Sequence, residues 1–503
     1  MILSQALNNA ALKNSSQAAI LDLGKTINFG ELRKRVGQLS YLHQVEIGAG
    51  TRVAFLSQNN TAVVQSFLAF SNLGIASIFI DPKESNDEIL QVLKDLEISH
   101  IAISGDQKSR INDLMRTSGI SLNVIEIEKK KGGEYDPSYS PPPERALKET
   151  DQILILRTDD QSVPTKYIFF NHKQIYTAVI SIRRFYQLRE TDRFFTTMNW
   201  AHPFALIHGM LLPILNTACC AIDPQLPTGE EFVEYLAKQH INRFVDSGKY
   251  FFQLLALCKT HKYMLPGVKS ITVGVGTLPM GLWRTFSLLK VPVLQCYGRP
   301  ENLWTIAMQS LENPEQSQSL HCLNGYKYKV LDSAGDELPT ENNPMGPLAI
   351  CGESVMHAYY HPNKALVEKA SKQKIRGTWL YTGDIASLSG NANEGFKLEF
   401  LGKSDEVIQR GDIYVNADRI DSVAKELPGV LDAAGFILYR ESGPCFACAV
   451  IKQNPLLKEY ELLLQLQSRL DATCQPTDLF FVDEIPRDAF DNVRRKSLQL
   501  KFS

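Results

Sequence analysis

The stretch TRVAFLSQNNTAVVQSFLAFSNLGIASIFIDP reads strand, helix, strand. In its middle Val63, Val64, Phe67, Leu68 and Phe70 recur at helical spacing. Gly74 stops the helix, and the short apolar run IASIFI is a buried strand ended by Asp81-Pro82. NDEILQVLKDLE then predicts a second helix and HIAIS a further strand. Such alternation argues for a mostly parallel sheet covered by helices. It pauses at the proline-rich GGEYDPSYSPPPERALKETD, which reads as a surface connection. It resumes through FVEYLAKQHINRFVDS and LPGVKSITVGVGTLP. From Leu320 the texture changes to short alternating runs broken by Gly, Pro and Asn, the pattern of antiparallel strands with turns. Beyond Gly402 the pattern predicts a strand at DIYVN, a helix, strands in DAAGFILYR and CFACAVIK, a helix in KEYELLLQLQSRL and a strand at DLFFVDEI. That is a small α+β domain, long enough to fold on its own.

Composition narrows the function classes. A chain of 503 residues exceeds one ordinary domain. Its net charge of −2 gives no electrostatic case for nucleic acid or an anionic membrane as main partner. No run approaches the roughly 18 apolar residues of a membrane span. The N-terminus lacks a basic start followed by an apolar run, so a cytoplasmic location is expected. Nine cysteines are scattered, and Cys445 and Cys448 form a lone C-x-x-C without a second ligand pair at zinc spacing. In an alternating strand pattern they read as core residues.

Five stretches carry the candidate chemistry. ILRTDDQSVPTKYIFFNH is framed like a phosphate-holding loop, with Lys166 in the middle and His172 at the end. LQCYGRPE follows an apolar strand. LYTGDIASL places Asp384 after a tight glycine turn, where a carboxylate can accept hydrogen bonds from both hydroxyls of a ribose. About 18 residues later comes LGKSDEVIQRGDIYV, and near the end EIPRDAFDNVRRKSL.

In order and spacing these loops resemble those of the adenylate-forming superfamily, which includes acyl-CoA synthetases, peptide-synthetase adenylation domains and beetle luciferases. The resemblance covers nearly the whole chain. It implies an α/β fold: a large N-terminal domain of helix-covered sheets plus a distorted β-barrel (1–402), and a small mobile C-terminal α+β domain (403–503). It implies an acid–thiol ligase that turns a carboxylate and ATP into an acyl adenylate, then a thioester on CoA or a carrier protein's phosphopantetheine. By the same resemblance Thr158, Ser162 and Lys166 belong to the phosphate loop, Tyr297 stacks on adenine, Glu301 holds Mg²⁺, and Asp384 holds the ribose. Gly274, in VGVGTLP, and Gly298 line the acyl pocket, with His202 at its mouth. Lys403 replaces an arginine beside the nucleotide. The hinge is Asp405, with Gly411 on the way to the thiol. Asn492 stands where the family keeps the lysine that bridges the acid and the α-phosphate. No Asp occurs between Asn199 and Asn216 to pair with an ammonium, which favours a fatty or aryl acid over an α-amino acid.

Several phosphate contacts depart from the pattern together. Asp160, Val163 and Tyr167 stand where the family has glycines, and Asp159 adds a carboxylate. Backbone N–H groups turn toward oxyanions most readily at glycine, and Val163 and Tyr167 restrict that turn. Pro300 replaces a threonine that donates to the α-phosphate, and proline has neither hydroxyl nor amide hydrogen. Two alternatives therefore stand beside the ligase: a family member that no longer adenylates and acts as a binding or scaffold subunit, and one that only transfers a preformed acyl group.

Overall fold

The structure, a computed structural model, describes residues 1–127, 147–158, 165–223, 229–248, 250, 267–275, 291–309, 319–391, 395–411, 413–487 and 493–503. They fall into two compact units: Met1–Ser317, Leu323–Tyr326 and Gly352–Thr378 in the first, and Gln318–Cys322, Lys327–Cys351 and Trp379–Ser503 in the second. Compactness here follows hydrogen-bonded strands rather than chain order, so antiparallel strands from before residue 402 group with the 403–503 tail.

The first unit contains two sheets. One has seven strands in the order Tyr359–Tyr360, Tyr167–Asn171, Gln152–Arg157, Ala76–Ile80, Arg52–Leu56, His100–Ile103, Asn123–Glu126. From Gln152–Arg157 outward to Asn123–Glu126 its pairings are parallel, and the first two are antiparallel. The expected helices are Thr61–Ser71 and Asn86–Asp95. The first starts on Asn60, whose side chain accepts from the Val63 amide; the second starts on a Ser85–Glu88 capping box. Ile78, Ile101, Ile155 and Leu93 are among the residues of one buried cluster that seals helix to sheet. The other sheet runs Val293–Tyr297, Ser270–Val275, Arg243–Ser247, Arg193–Phe195, Cys219–Ile222, Ala18–Asp22, Lys25–Asn28. All the pairings among these strands but the last are parallel, and on its other side Val293–Tyr297 pairs antiparallel with Ala307–Met308. Thr158 and Lys166 flank the loop after one parallel strand, and Tyr297 and Gly274 end two others. These are the carboxyl ends at which α/β proteins place their ligands.

In the second unit the long strand Trp379–Asn391 lies antiparallel between Met345–Gly352 and Gly395–Lys403. Further on, the hairpin Val407–Arg410/Ile413–Asn416 precedes the helix Asp418–Lys425. The tail sheet then follows as the pattern predicts, Val430–Arg440 against Gly443–Lys452 against Asp478–Phe481. The helices Glu459–Arg469 and Arg495–Phe502 complete it. Among the described residues no helix is long and apolar enough to cross a membrane.

Candidate active site

The stretch that resembles a phosphate loop joins two antiparallel strands, Gln152–Arg157 and Tyr167–Asn171. Arg157 pairs with Tyr167, and the Thr158 amide donates to the Lys166 carbonyl at 3.0 Å, closing the loop at its neck. Ser162 and the aspartates Asp159 and Asp160 lie outside the described residues, as does Val163. Arg157 is committed to a bidentate pair with Glu84, its Nη1 2.7 Å from Oε2. Thr158 is buried, and its Oγ1 has no hydrogen-bond partner among the described residues. Such an orphaned hydroxyl is costly unless something is there to bind it, and a phosphate oxygen would serve. Lys166 is only 7% exposed, and its Nζ lies 5.7 Å from the centre of the Tyr359 ring.

Tyr359 links this lysine to the LQCYGRPE loop, since its hydroxyl donates to Glu301 Oε1 at 2.8 Å. Glu301 sits in the short turn Pro300–Asn302 that follows Tyr297, and it is 3% exposed. Its other oxygen, Oε2, lies 3.5 Å from Arg299 Nε. The backbone there is fixed from both sides: the Arg299 amide donates to Asn302 Oδ1, and the Trp304 amide returns to the Arg299 carbonyl at 2.8 Å. A dication on Oε2 would face the guanidinium at about 4 Å. Two unit charges at that distance interact by about 4 kcal/mol at an effective dielectric of 20, and the double charge makes the repulsion about 8 kcal/mol. The donor set at Glu301 therefore does not fit the Mg²⁺ that the resemblance implies.

The three residues expected around the acyl group all meet Trp304. Its indole N–H donates to the Gly274 carbonyl at 2.9 Å, and the His202 ring stands edge-on to it with centroids 4.5 Å apart. A Cβ on residue 298 would fall 0.9 Å from the Trp304 carbonyl oxygen. Glycine at 298 thus makes room for the chain's own backbone. Leu303 and Trp304 both take positive φ, 57° and 77°, to bring that carbonyl in. The open face of Gly274 is filled by the Phe204 ring, which a Cβ would meet at 2.2 Å. His202 accepts from the Phe204 amide at Nδ1, and burial pushes its pKa down to about 3, so it is neutral at physiological pH. His208, in a buried π-helix at Ala205–Leu211, bonds Tyr186 and Thr305, and burial pushes it down to about 3 as well. It is a packed core histidine.

In the second unit the T-G-D motif differs from expectation. Thr382, Gly383 and Asp384 lie within the strand Trp379–Asn391 rather than in a turn after it. Pro347 faces Ile385 while Ala349 faces Tyr381, so the strand bulges across Thr382–Asp384, and Gly383 takes φ 81°. The Thr382 hydroxyl pins the bulge by donating to the Leu348 carbonyl at 3.0 Å and accepting from the Asp384 amide at 3.1 Å. Asp384 is 1% exposed and pairs across the ladder with Lys403. Gly402 before it has φ 142°, and a Cβ there would meet Asn416 Nδ2 at 2.4 Å. Asp405 is exposed in the turn that follows. Gly411, at φ 61°, is the first residue of the hairpin loop after Arg410. In the last loop Arg487 pairs with Asp432 at 2.7 Å, whereas Asn492 and Asp491 lie outside the described residues. Sequence reasoning missed Arg299, Trp304 and Tyr359. The first two sit within or beside the motif at positions it leaves variable, and Tyr359 is 58 residues from Glu301 with no local signal.

Comparison with known proteins gives the family and the fold. The family described as "AMP-binding enzyme" matches residues 7–360. The chain is 24% identical over 97% of its length to the chalcone synthase cfoA of Aspergillus candidus, of which it spans only 18%. It is 23% identical to a 4-chlorobenzoate–CoA ligase of an Arthrobacter species, covering 97% of this chain and 93% of that one. The o-succinylbenzoate coenzyme A synthetase of Bacillus subtilis, solved with ATP and magnesium ion, shares the fold at a TM-score of 0.81 with 20% identity, over 98% of each chain.

Proposed function

This chain belongs to the AMP-binding enzyme family, and from that premise we propose that it is an acid–thiol ligase. Its substrate is a fatty or aryl acid without an α-ammonium, activated with ATP and passed as an acyl group to CoA or to the phosphopantetheine of a carrier protein. The observation that carries this reading is Asp384, a buried carboxylate held in place by a pinned bulge, which suits a ribose clamp. ATP supplies the leaving pyrophosphate. Lys166 neutralises charge on the phosphates, the Thr158 hydroxyl offers them a hydrogen bond, and Tyr297 at the strand end stacks on adenine. Asp405 is the hinge about which residues 403–503 reorient between the two half-reactions, with Lys403 and Gly411 beside it. The cytoplasm is the compartment that fits. The 4-chlorobenzoate–CoA ligase similarity supports an aryl acid.

The test is pyrophosphate release by the full chain across a panel of fatty and aryl acids, with calorimetric titration of ATP and AMP. Turnover that falls on the order of 10²–10³-fold in Lys166→Ala is expected, the typical loss when one donor to a developing charge is removed. Asp384→Asn weakens both nucleotides. Absence of pyrophosphate release with AMP still bound would replace the ligase with an acyl-transfer protein. Binding of neither nucleotide would replace it with a scaffold subunit. The joint replacement of the family's glycines by Asp160, Val163 and Tyr167 and of its threonine by Pro300 is the observation that favours these alternatives.

A further inference from the structure

We propose that Arg299 takes the place of a divalent cation at Glu301, so that nucleotide binding by this chain does not depend on Mg²⁺. The inference rests on the nucleotide-binding reading above. Its footing is the pairing of a buried carboxylate with two protein donors. Tyr359 holds Oε1 at 2.8 Å, and Arg299 Nε approaches Oε2 to 3.5 Å. The side chains of Arg299 and Glu301 are 19% and 3% exposed, so the charges are little screened by water. The arginine is also held by its backbone, through Asn302 Oδ1 on its amide and the Trp304 amide on its carbonyl.

Charge bookkeeping then favours an anion over a cation. Glu301 carries −1, Arg299 carries +1, and Lys166, 5.7 Å from the ring of the tyrosine that holds Glu301, carries another +1. A polyphosphate brings several negative charges to such a place. Arg and Lys clamps stabilise phosphoryl oxygens in the same electrostatic way as bound Mg²⁺, and a guanidinium does so with a fixed fork of donors. Arg299 sits within the Y-G-R-P-E stretch itself, directly before the proline that has removed a threonine's phosphate contact. The gained cation and the lost donor are neighbours.

The experiment is calorimetric titration of the full chain with ATP, in millimolar Mg²⁺ and in excess EDTA, with AMP as a control for an intact site. Wild-type affinity for ATP is expected to change by less than about tenfold between the two conditions. Arg299→Met should bind ATP in EDTA more weakly by at least roughly tenfold and recover when Mg²⁺ is added, because the freed carboxylate now accepts the metal. Arg299→Lys keeps the charge and keeps most of the metal independence. A wild type that needs Mg²⁺, or an Arg299→Met chain no more dependent on it than wild type, overturns the proposal. If no nucleotide binds in either condition, the ligase reading fails separately. The inference is then decided by a double-mutant cycle of Arg299→Met and Glu301→Gln in urea. Measurable coupling keeps the guanidinium as the resident counter-charge of Glu301, and additive effects overturn it.

Discussion

Gly298→Ala separates two explanations of one glycine. On the family pattern the missing side chain lets the backbone approach the acyl group, whereas here it gives room to the Trp304 carbonyl. A methyl group at 298 would have to be cleared from 0.9 Å to the 3.4 Å or more of ordinary contact, and the obstacle is backbone rather than a flexible side-chain end. Leu303 and Trp304 already sit at positive φ, so the loop has little slack in which to retreat. Overpacking of this kind costs about 3 kcal/mol at the upper end of its usual range. Moving Trp304 also breaks the indole hydrogen bond to Gly274, worth roughly 1 kcal/mol. The expected loss is therefore about 4 kcal/mol. The assay is urea unfolding followed by tryptophan fluorescence, read on the first transition because a chain with two units need not unfold in one step. At a slope of about 3 kcal/mol per molar, that transition should move down by roughly 1 M. ATP and acid binding should weaken together, since Tyr297 and Glu301 flank the displaced loop. A variant that unfolds at the wild-type midpoint and is altered only in which acids it accepts would refute the packing explanation and restore the acyl one.

Two further outcomes follow from buried charge. Burial lowers His172 to about 4 and both His202 and His208 to about 3, against an ordinary value of 6.5, so all three stay neutral in the folded chain. Below pH 6.5 the unfolded chain takes up protons that the folded one does not. Stability is thus fully present above that pH and is lost as pH falls toward 4, by about 1.4 kcal/mol per histidine per pH unit at most. Thermal melts between pH 7 and 5 should show this decline, with a shallower slope in His208→Gln, and a flat profile would rule it out. In the second unit Arg495→Met removes a 7%-exposed guanidinium that bonds Asp418, Asp421 at 2.9 and 3.1 Å, and the Gly435 carbonyl. Leaving those carboxylates unpaired should cost about 3–5 kcal/mol, and limited proteolysis of the full chain should cut the tail faster. Unchanged cleavage would count against the pairing.

The sequence is most legible where structure follows from local pattern. Thr61–Ser71, Asn86–Asp95 and the tail sheet all appear where apolar spacing puts them, because burial of one face is enough to decide them. It is least legible where long-range hydrogen bonds set the geometry. The bulge at Thr382–Asp384 exists because Met345–Gly352 offers fewer residues than its partner strand needs, a mismatch that no window around T-G-D contains. The π-helix at Ala205–Leu211 reads as an ordinary apolar run. Tyr359 reaches Glu301 across 58 residues, so the neighbourhood of that carboxylate was hidden even though the carboxylate itself was not.

That contrast bears on how altered sites in such chains should be weighed. A motif comparison scores each position alone, and by that measure Pro300 and the absent loop glycines are losses. The structure sets Arg299 beside Glu301 and Lys166 near the ring of the tyrosine that bonds Glu301, so the same region also gains one cation on a buried carboxylate and keeps a second close to its tyrosine partner. Transition-state charge is answered by the summed field of a site rather than by any single donor. A loss at one position and a gain at its neighbour can leave that field nearly intact while the letters diverge. Dependence on Mg²⁺ therefore discriminates better than motif identity between a site that has decayed and one that has exchanged its source of positive charge.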